Sequence, residues 1–111
     1  MSADTFSQEI RSCLKLRTGI LKMLYEKFRE FPYAQIELSE ISEICQAGAK
    51  DLNWNIVYLE KCGYVELGRS TDSYPYVGCS AAITAGGIDL VENQAAFSKR
   101  FAVDEESGQR P

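Results

Sequence analysis

The chain has 111 residues, 12 Lys and Arg against 16 Asp and Glu, no histidine, and a formal net charge of −4. That length suits one domain with its own core, and no apolar run approaches the roughly 20 residues a membrane-spanning helix needs. The first ten residues, MSADTFSQEI, have neither the basic start nor the apolar centre of a secretion signal, so a cytoplasmic protein without a membrane partner is expected.

Between Ser7 and Phe31, Ile10, Leu14, Leu21, Leu24 and Phe28 recur at helical spacing among Arg11, Lys15, Arg17, Lys22, Lys27 and Arg29. This predicts an amphipathic helix with a break near Thr18-Gly19, because glycine inside a helix costs about 1 kcal/mol relative to alanine. A short leading helix then precedes the main one, and Pro32 ends it.

Ile36-Glu37-Leu38 alternates apolar, polar, apolar and predicts a short edge strand that pairs with a later hairpin. Ser39 is placed to cap a second helix, with Glu40 and Glu43 near its positive end and Ile41, Ile44 and Cys45 as its buried face. Gln46-Ala47-Gly48-Ala49 makes the tight turn into a third helix, about Lys50 to Cys62. Leu52, Ile56 and Leu59 fall at i, i+4 and i+7 and form its core stripe, and Gly63 supplies the left-handed stop.

A hairpin follows. Tyr64 to Leu67 is its first strand, Gly68 to Ser73 its polar loop, and Tyr74 to Ser80 its return. Thr84 caps a last helix in which Ile88, Val91 and Ala95 form a stripe, with Gly87 as a soft spot and Leu90, Phe97 and Phe101 partly off the stripe. Val103 to Pro111 carries Asp104-Glu105-Glu106 and no apolar periodicity, and reads as a frayed tail.

This order of elements, clearest in LNWNIVYLEKCGYVEL and YPYVGCSAAITAGGIDLVEN, resembles the winged helix-turn-helix superfamily over roughly residues 17–95. ITAGGIDLVEN is similar to the segment after the wing in many bacterial winged-helix regulators. The resemblance implies an α+β, mainly α fold: a three-helix core, a β-hairpin wing and a C-terminal helix. The expected division is an N-terminal segment with a short helix at 1–16, a winged-helix domain at 17–97, and a disordered tail at 98–111.

What the resemblance implies for function is double-stranded DNA binding by a bacterial transcriptional regulator, with the third helix in the major groove. Taking 100° per residue, Lys50, Trp54 and Lys61 lie within about 40° of one another, opposite the core stripe and next to Val57 and Tyr58. Lys50, Asn53, Trp54 and Lys61 are therefore the candidate contacts of that helix. Arg69, Ser70 and Thr71 at the wing tip are candidates for the minor groove, and Arg11, Lys15, Arg17 and Lys22 for phosphates. Flanking apolar residues (Phe6, Ile10 and Leu14 in front, Leu90, Phe97 and Phe101 behind) suit a homodimer.

Charge pulls against this reading. Residues 34–67, which hold the expected reading unit, carry two Lys/Arg against six Asp/Glu, while residues 1–33 carry six against four. DNA affinity is supplied chiefly by Lys and Arg, so an interaction module is the alternative. There Trp54, Val57 and Tyr58 dock a protein partner, as exposed aromatics with little charge around them do.

Enzymatic chemistry has no candidate: histidine is absent, and no Ser or Cys stands in a nucleophile motif. Cys13, Cys45, Cys62 and Cys79 contain no pair two to four residues apart, so neither a metal nor another cofactor is expected. They read as small buried hydrophobes. Cys62, beside Lys61, is the mild exception, since reactive thiols favour electropositive surroundings.

Overall fold

The computed structural model describes residues 3–69 and 79–101. Their backbone forms α1 (Ala3–Glu30), β1 (Ile36–Glu37), α2 (Leu38–Cys45), α3 (Ala49–Lys61), β2 (Val65–Arg69), β3 (Cys79–Ile83), α4 (Ala85–Glu92) and α5 (Gln94–Phe101). The three strands make one antiparallel sheet in the order β1-β3-β2.

α1 is one unbroken helix of 28 residues, which at 1.5 Å per residue is about 42 Å long. The break expected at Thr18-Gly19 does not occur. The next turn buries Ile20, Leu21 and Leu24, and this packing outweighs the propensity cost of one glycine. α1 is the spine of the molecule, touching α2, α3, α4, α5 and β3. Leu38, Ile41, Leu52, Ile56, Leu59 and Val65 close the core around it.

Core formation also moves the start of α2. Leu38 is fully buried and begins the helix, so β1 keeps only Ile36 and Glu37, paired with Ala81 and Ser80. Glu37, not Ser39, occupies the N-cap position, and its side chain makes no cap bond. Ile41 is buried as expected, but Ile44 is 50% exposed. The left-handed residue of the turn is Gln46, at φ 56°, rather than Gly48. Ser42 and Ala47 tie that turn together: the Ala47 N–H donates to the Ser42 carbonyl, and the Ser42 hydroxyl donates to the Ala47 carbonyl.

Gly63 takes the predicted left-handed conformation, at φ 87°, and the chain enters β2. Val65 to Arg69 pairs with Ile83 to Cys79, and Cys79, Ala81 and Ile83 point inward. The loop expected at Gly68–Ser73 and the return strand expected from Tyr74 fall largely on residues 70–78, outside the described residues. Of the tail expected at 98–111, residues 98–101 are helical and end α5, with Phe101 buried; the rest, including the stretch after Val103, lies outside the described residues.

Thr84 caps α4 as the sequence predicts, its hydroxyl oxygen accepting from the Gly87 N–H at 3.0 Å. The same hydroxyl donates to the Gly63 carbonyl at 2.6 Å, so one side chain joins the end of α3 to the start of α4. Gly87 is a close-approach position rather than a soft spot: a Cβ there would lie 2.3 Å from the Tyr64 carbonyl oxygen and 2.7 Å from Ile83 Cγ1.

The single last helix of the sequence reading is two. Asn93 has a non-helical backbone, and its Oδ1 accepts from the Ala96 N–H at 3.1 Å, starting α5 afresh. The change of direction turns Phe97 and Phe101 inward, where they meet edge to face at 6.0 Å. Ala95, expected on the stripe, is exposed.

Gly87 and Gly86 supply a paired test of this packing. Gly87→Ala is expected to destabilise the chain by about 3 kcal/mol, through overpacking against backbone that cannot yield. At Gly86 the nearest atom is 3.4 Å from a built Cβ, so Gly86→Ala is expected to be neutral or stabilising by up to about 1 kcal/mol. Urea unfolding of the two variants beside the parent chain checks both.

Candidate functional site

α3 starts at an N-cap glycine, Gly48, with no side-chain cap bond, and ends at Gly63. Leu52, Ile56 and Leu59 are buried, as their spacing predicts, and Asn55 joins them at 0% exposure. An amide removed from water must have its hydrogen bonds made within the protein. Here Asn55 Nδ2 donates to the Asp51 carbonyl at 2.8 Å, with Cys13 Sγ a weak contact at 3.8 Å, and Oδ1 accepts from Arg17 Nε at 2.7 Å.

Arg17 reaches this amide from α1 and brings a planar cation to α3. Its guanidinium carbon lies 4.1 Å from the centre of the Tyr58 ring and 5.2 Å from that of Trp54, within the range of cation–π attraction. At the far end of α3, Arg100 of α5 donates to the Tyr58 hydroxyl at 2.7 Å and, more weakly, to the Tyr64 hydroxyl at 3.5 Å. Its hydrogen bonds to Tyr64 and Tyr58 hold the guanidinium more firmly protonated than a free one. Tyr58 thus lies between two arginines from opposite ends of the chain.

The residues singled out on α3 are distributed as follows. Lys50 is exposed in the first turn and Lys61 is exposed at the last. Trp54 lies between them in sequence and is 47% exposed. Asn53 is half-buried, and its Oδ1 has no hydrogen-bond partner among the described residues. Val57 and Tyr58, grouped with the outward face by the helical wheel, are half-buried against the core. Arg69 is the last residue of β2; its side chain, Ser70 and Thr71 lie outside what the structure describes.

Two clefts border the first turns of α3. One, of 480 Å³, runs between α1 and α3 and is lined by Glu9, Ser12, Lys50, Asp51 and Trp54 among others. The second, of 610 Å³, brings Lys15 of α1 to Gln46, Gly48 and Asp51 at the α2–α3 turn. Cation and carboxylate therefore alternate around the start of α3. Arg11, Lys15 and Lys22 are exposed along α1, whereas Arg17 is half-buried in the contacts described above.

No disulfide joins Cys13, Cys45, Cys62 or Cys79 to one another. The cation beside Cys62 is Arg100, whose Nη2 is 3.4 Å from the sulfur, a contact the neighbouring Lys61 did not reveal. Burial raises the Cys45 thiol above its ordinary range.

No protein-family model and no curated protein matches the chain. Solved structures do. A MepR variant from a multidrug-resistant S. aureus clinical isolate superimposes with a TM-score of 0.56 at 13% identity, covering 98% of this chain and 90% of that one. S. aureus MepR bound to ethidium bromide gives 0.55 at 15% identity, covering 98% and 89%. The fold is a winged helix-turn-helix. In that frame α2 and α3 are the helix-turn-helix, β2 and β3 are the strands of the wing, and Trp54 sits on the outer side of the second helix of the pair.

Sequence reasoning missed Asn55 and the role of Arg17. The signal was present: Asn55 stands three residues after Leu52 and four before Leu59, at a core position where an amide needs a partner from elsewhere. Arg100, in the segment expected to be a tail, carried no such signal.

Asn55→Leu is expected to destabilise the chain by about 2 kcal/mol, since it leaves Arg17 Nε without its acceptor; denaturant midpoints check it. At pH 8 the Cys45 thiol should alkylate more slowly than free cysteine and reach half its maximal rate at a higher pH, because a raised pKa leaves less thiolate. Peptide mass spectrometry after iodoacetamide pulses reads this directly.

Proposed function

We propose that this protein is a DNA-binding transcriptional regulator that lays α3 into the major groove with the wing beside it. The observation carrying the reading is the outer face of α3, where Lys50, Trp54 and Lys61 remain exposed on a winged-helix frame. The fold-level likeness to MepR, a transcriptional regulator, supports it. In this reading Lys50 and Asn53 address bases or phosphates near the start of the helix, and Trp54 packs on the groove wall. Arg69, Ser70 and Thr71 take the minor groove.

The acidity of residues 34–67 is offset locally. Lys15 lies across a cleft from Gly48, so α1 adds positive charge close to the acidic reading unit, whereas Lys22 lies beside Phe97 of α5. Local charge distribution, rather than net charge, governs such an encounter. Phe6 and Ile10, 61% and 46% exposed on α1, are the apolar surface on which a second copy would pair. Phe97 and Phe101 are not available to it, being buried within the chain. On this reading the protein works in the cytoplasm of a bacterium and carries no catalytic activity.

The exposed Trp54 also favours a second reading, in which the same face docks a protein partner and nucleic acid plays no part. A fluorescence-anisotropy titration with a mixed-sequence duplex separates the two. Binding at about 50 mM salt that weakens steeply as salt rises is expected, and Lys50→Ala and Arg69→Ala should each lower the affinity and flatten the salt slope by about one. A chain that ignores duplex DNA at low salt, and loses a protein partner on Trp54→Ala, is the interaction module instead.

A further inference from the structure

The regulator reading leaves open why α1 sends a half-buried arginine into the reading helix. Arg17 faces no carboxylate within ion-pair distance among the described residues. Its Nε is committed to Asn55 at 2.7 Å, and its guanidinium lies 4.1 Å from the Tyr58 ring and 5.2 Å from the Trp54 ring. Trp54 and Asn55 are neighbours in one turn of α3 and Tyr58 stands one turn further on; of the three, Asn55 is buried, Tyr58 is half-buried and only Trp54 continues out to the exposed surface.

We propose that Arg17 is a positioning residue for the reading face: it sets the orientation of the Trp54 indole and the rotation of α3 about its own axis, without itself contacting DNA. The inference deepens the regulator reading and rests on it. An arginine is suited to the task where a lysine is not. The planar guanidinium lies against two rings while one N–H still points at the amide, whereas an ammonium offers neither a flat face nor a fixed donor direction. The contact also makes α1 part of the binding apparatus, because a shift of α1 along α3 would move Arg17 off Trp54.

Arg17→Lys and Arg17→Gln distinguish this role from a phosphate contact and from simple structural support. Trp54 is the only tryptophan, so the near-ultraviolet circular dichroism of the indole reports its orientation alone. If Arg17 positions Trp54, both variants lose the indole band while melting cooperatively. Both also bind the duplex about tenfold more weakly, as expected for loss of one stacked, bonded guanidinium, with an unchanged salt slope. A phosphate contact predicts the opposite pattern: Arg17→Lys binds like the parent, and Arg17→Gln loses about one unit of slope.

Parent-like binding by Arg17→Lys, or an indole band unchanged in folded Arg17→Lys, overturns the proposal. If the parent chain does not bind duplex DNA at all, the regulator reading fails. The indole band then still decides whether Arg17 orients Trp54.

Discussion

A single buried amide decides which way the third helix faces. Leu52, Ile56 and Leu59 put one side of α3 into the core, but apolar burial is tolerant of small rotations because it has no direction. Asn55 removes that tolerance. Fully buried, it must meet Arg17 Nε and the Asp51 carbonyl together, and leaving either bond unmade exposes the chain to a desolvation penalty of about 1–3 kcal/mol. With the rotation set, Lys50, Trp54 and Lys61 are left outside.

The far end of α3 is held by different means. Gly63 ends the helix in a left-handed turn, Thr84 joins that turn to α4, and Gly87 lets α4 approach the Tyr64 carbonyl closely. Arg100 then ties α5 to Tyr58. A helix fixed at one end by an amide and a guanidinium, and at the other by glycines and a threonine hydroxyl, presents its outer face with little freedom. Preorganisation of this kind lowers the ordering cost of binding a ligand. It suits either a groove or a protein surface, which is why the charge near Lys15 and Lys50 matters to the functional reading.

The parts of this arrangement that depend on neighbours in sequence were legible in the sequence. The stripe of α3, the stop at Gly63, the cap at Thr84 and the pairing of Ile36 with the hairpin all follow from periodicity and turn chemistry. The parts that depend on distant neighbours were not. Gly19 does not break α1, because burial of Ile20, Leu21 and Leu24 in the core keeps the helix continuous. Ile44 is left outside, Phe97 and Phe101 are drawn in, and Gly87 is forced to be small by a carbonyl 23 positions away. For the candidate site, Lys50, Trp54 and Lys61 could be read from a helical wheel. The wheel says nothing of which helix lies alongside, so the use of Arg17, Asn55 and Arg100 could be seen only in three dimensions.

The pairing of Arg17 with Asn55 is the point on which this account turns, and a double-mutant thermodynamic cycle measures it most directly. Arg17→Met, Asn55→Ala and the double variant should show a coupling free energy of about 1–3 kcal/mol in denaturant unfolding, as contacting residues in one network do. Free energies that add to within about 0.5 kcal/mol would mean that the two side chains are independent, and that the outward face of α3 is set by something else.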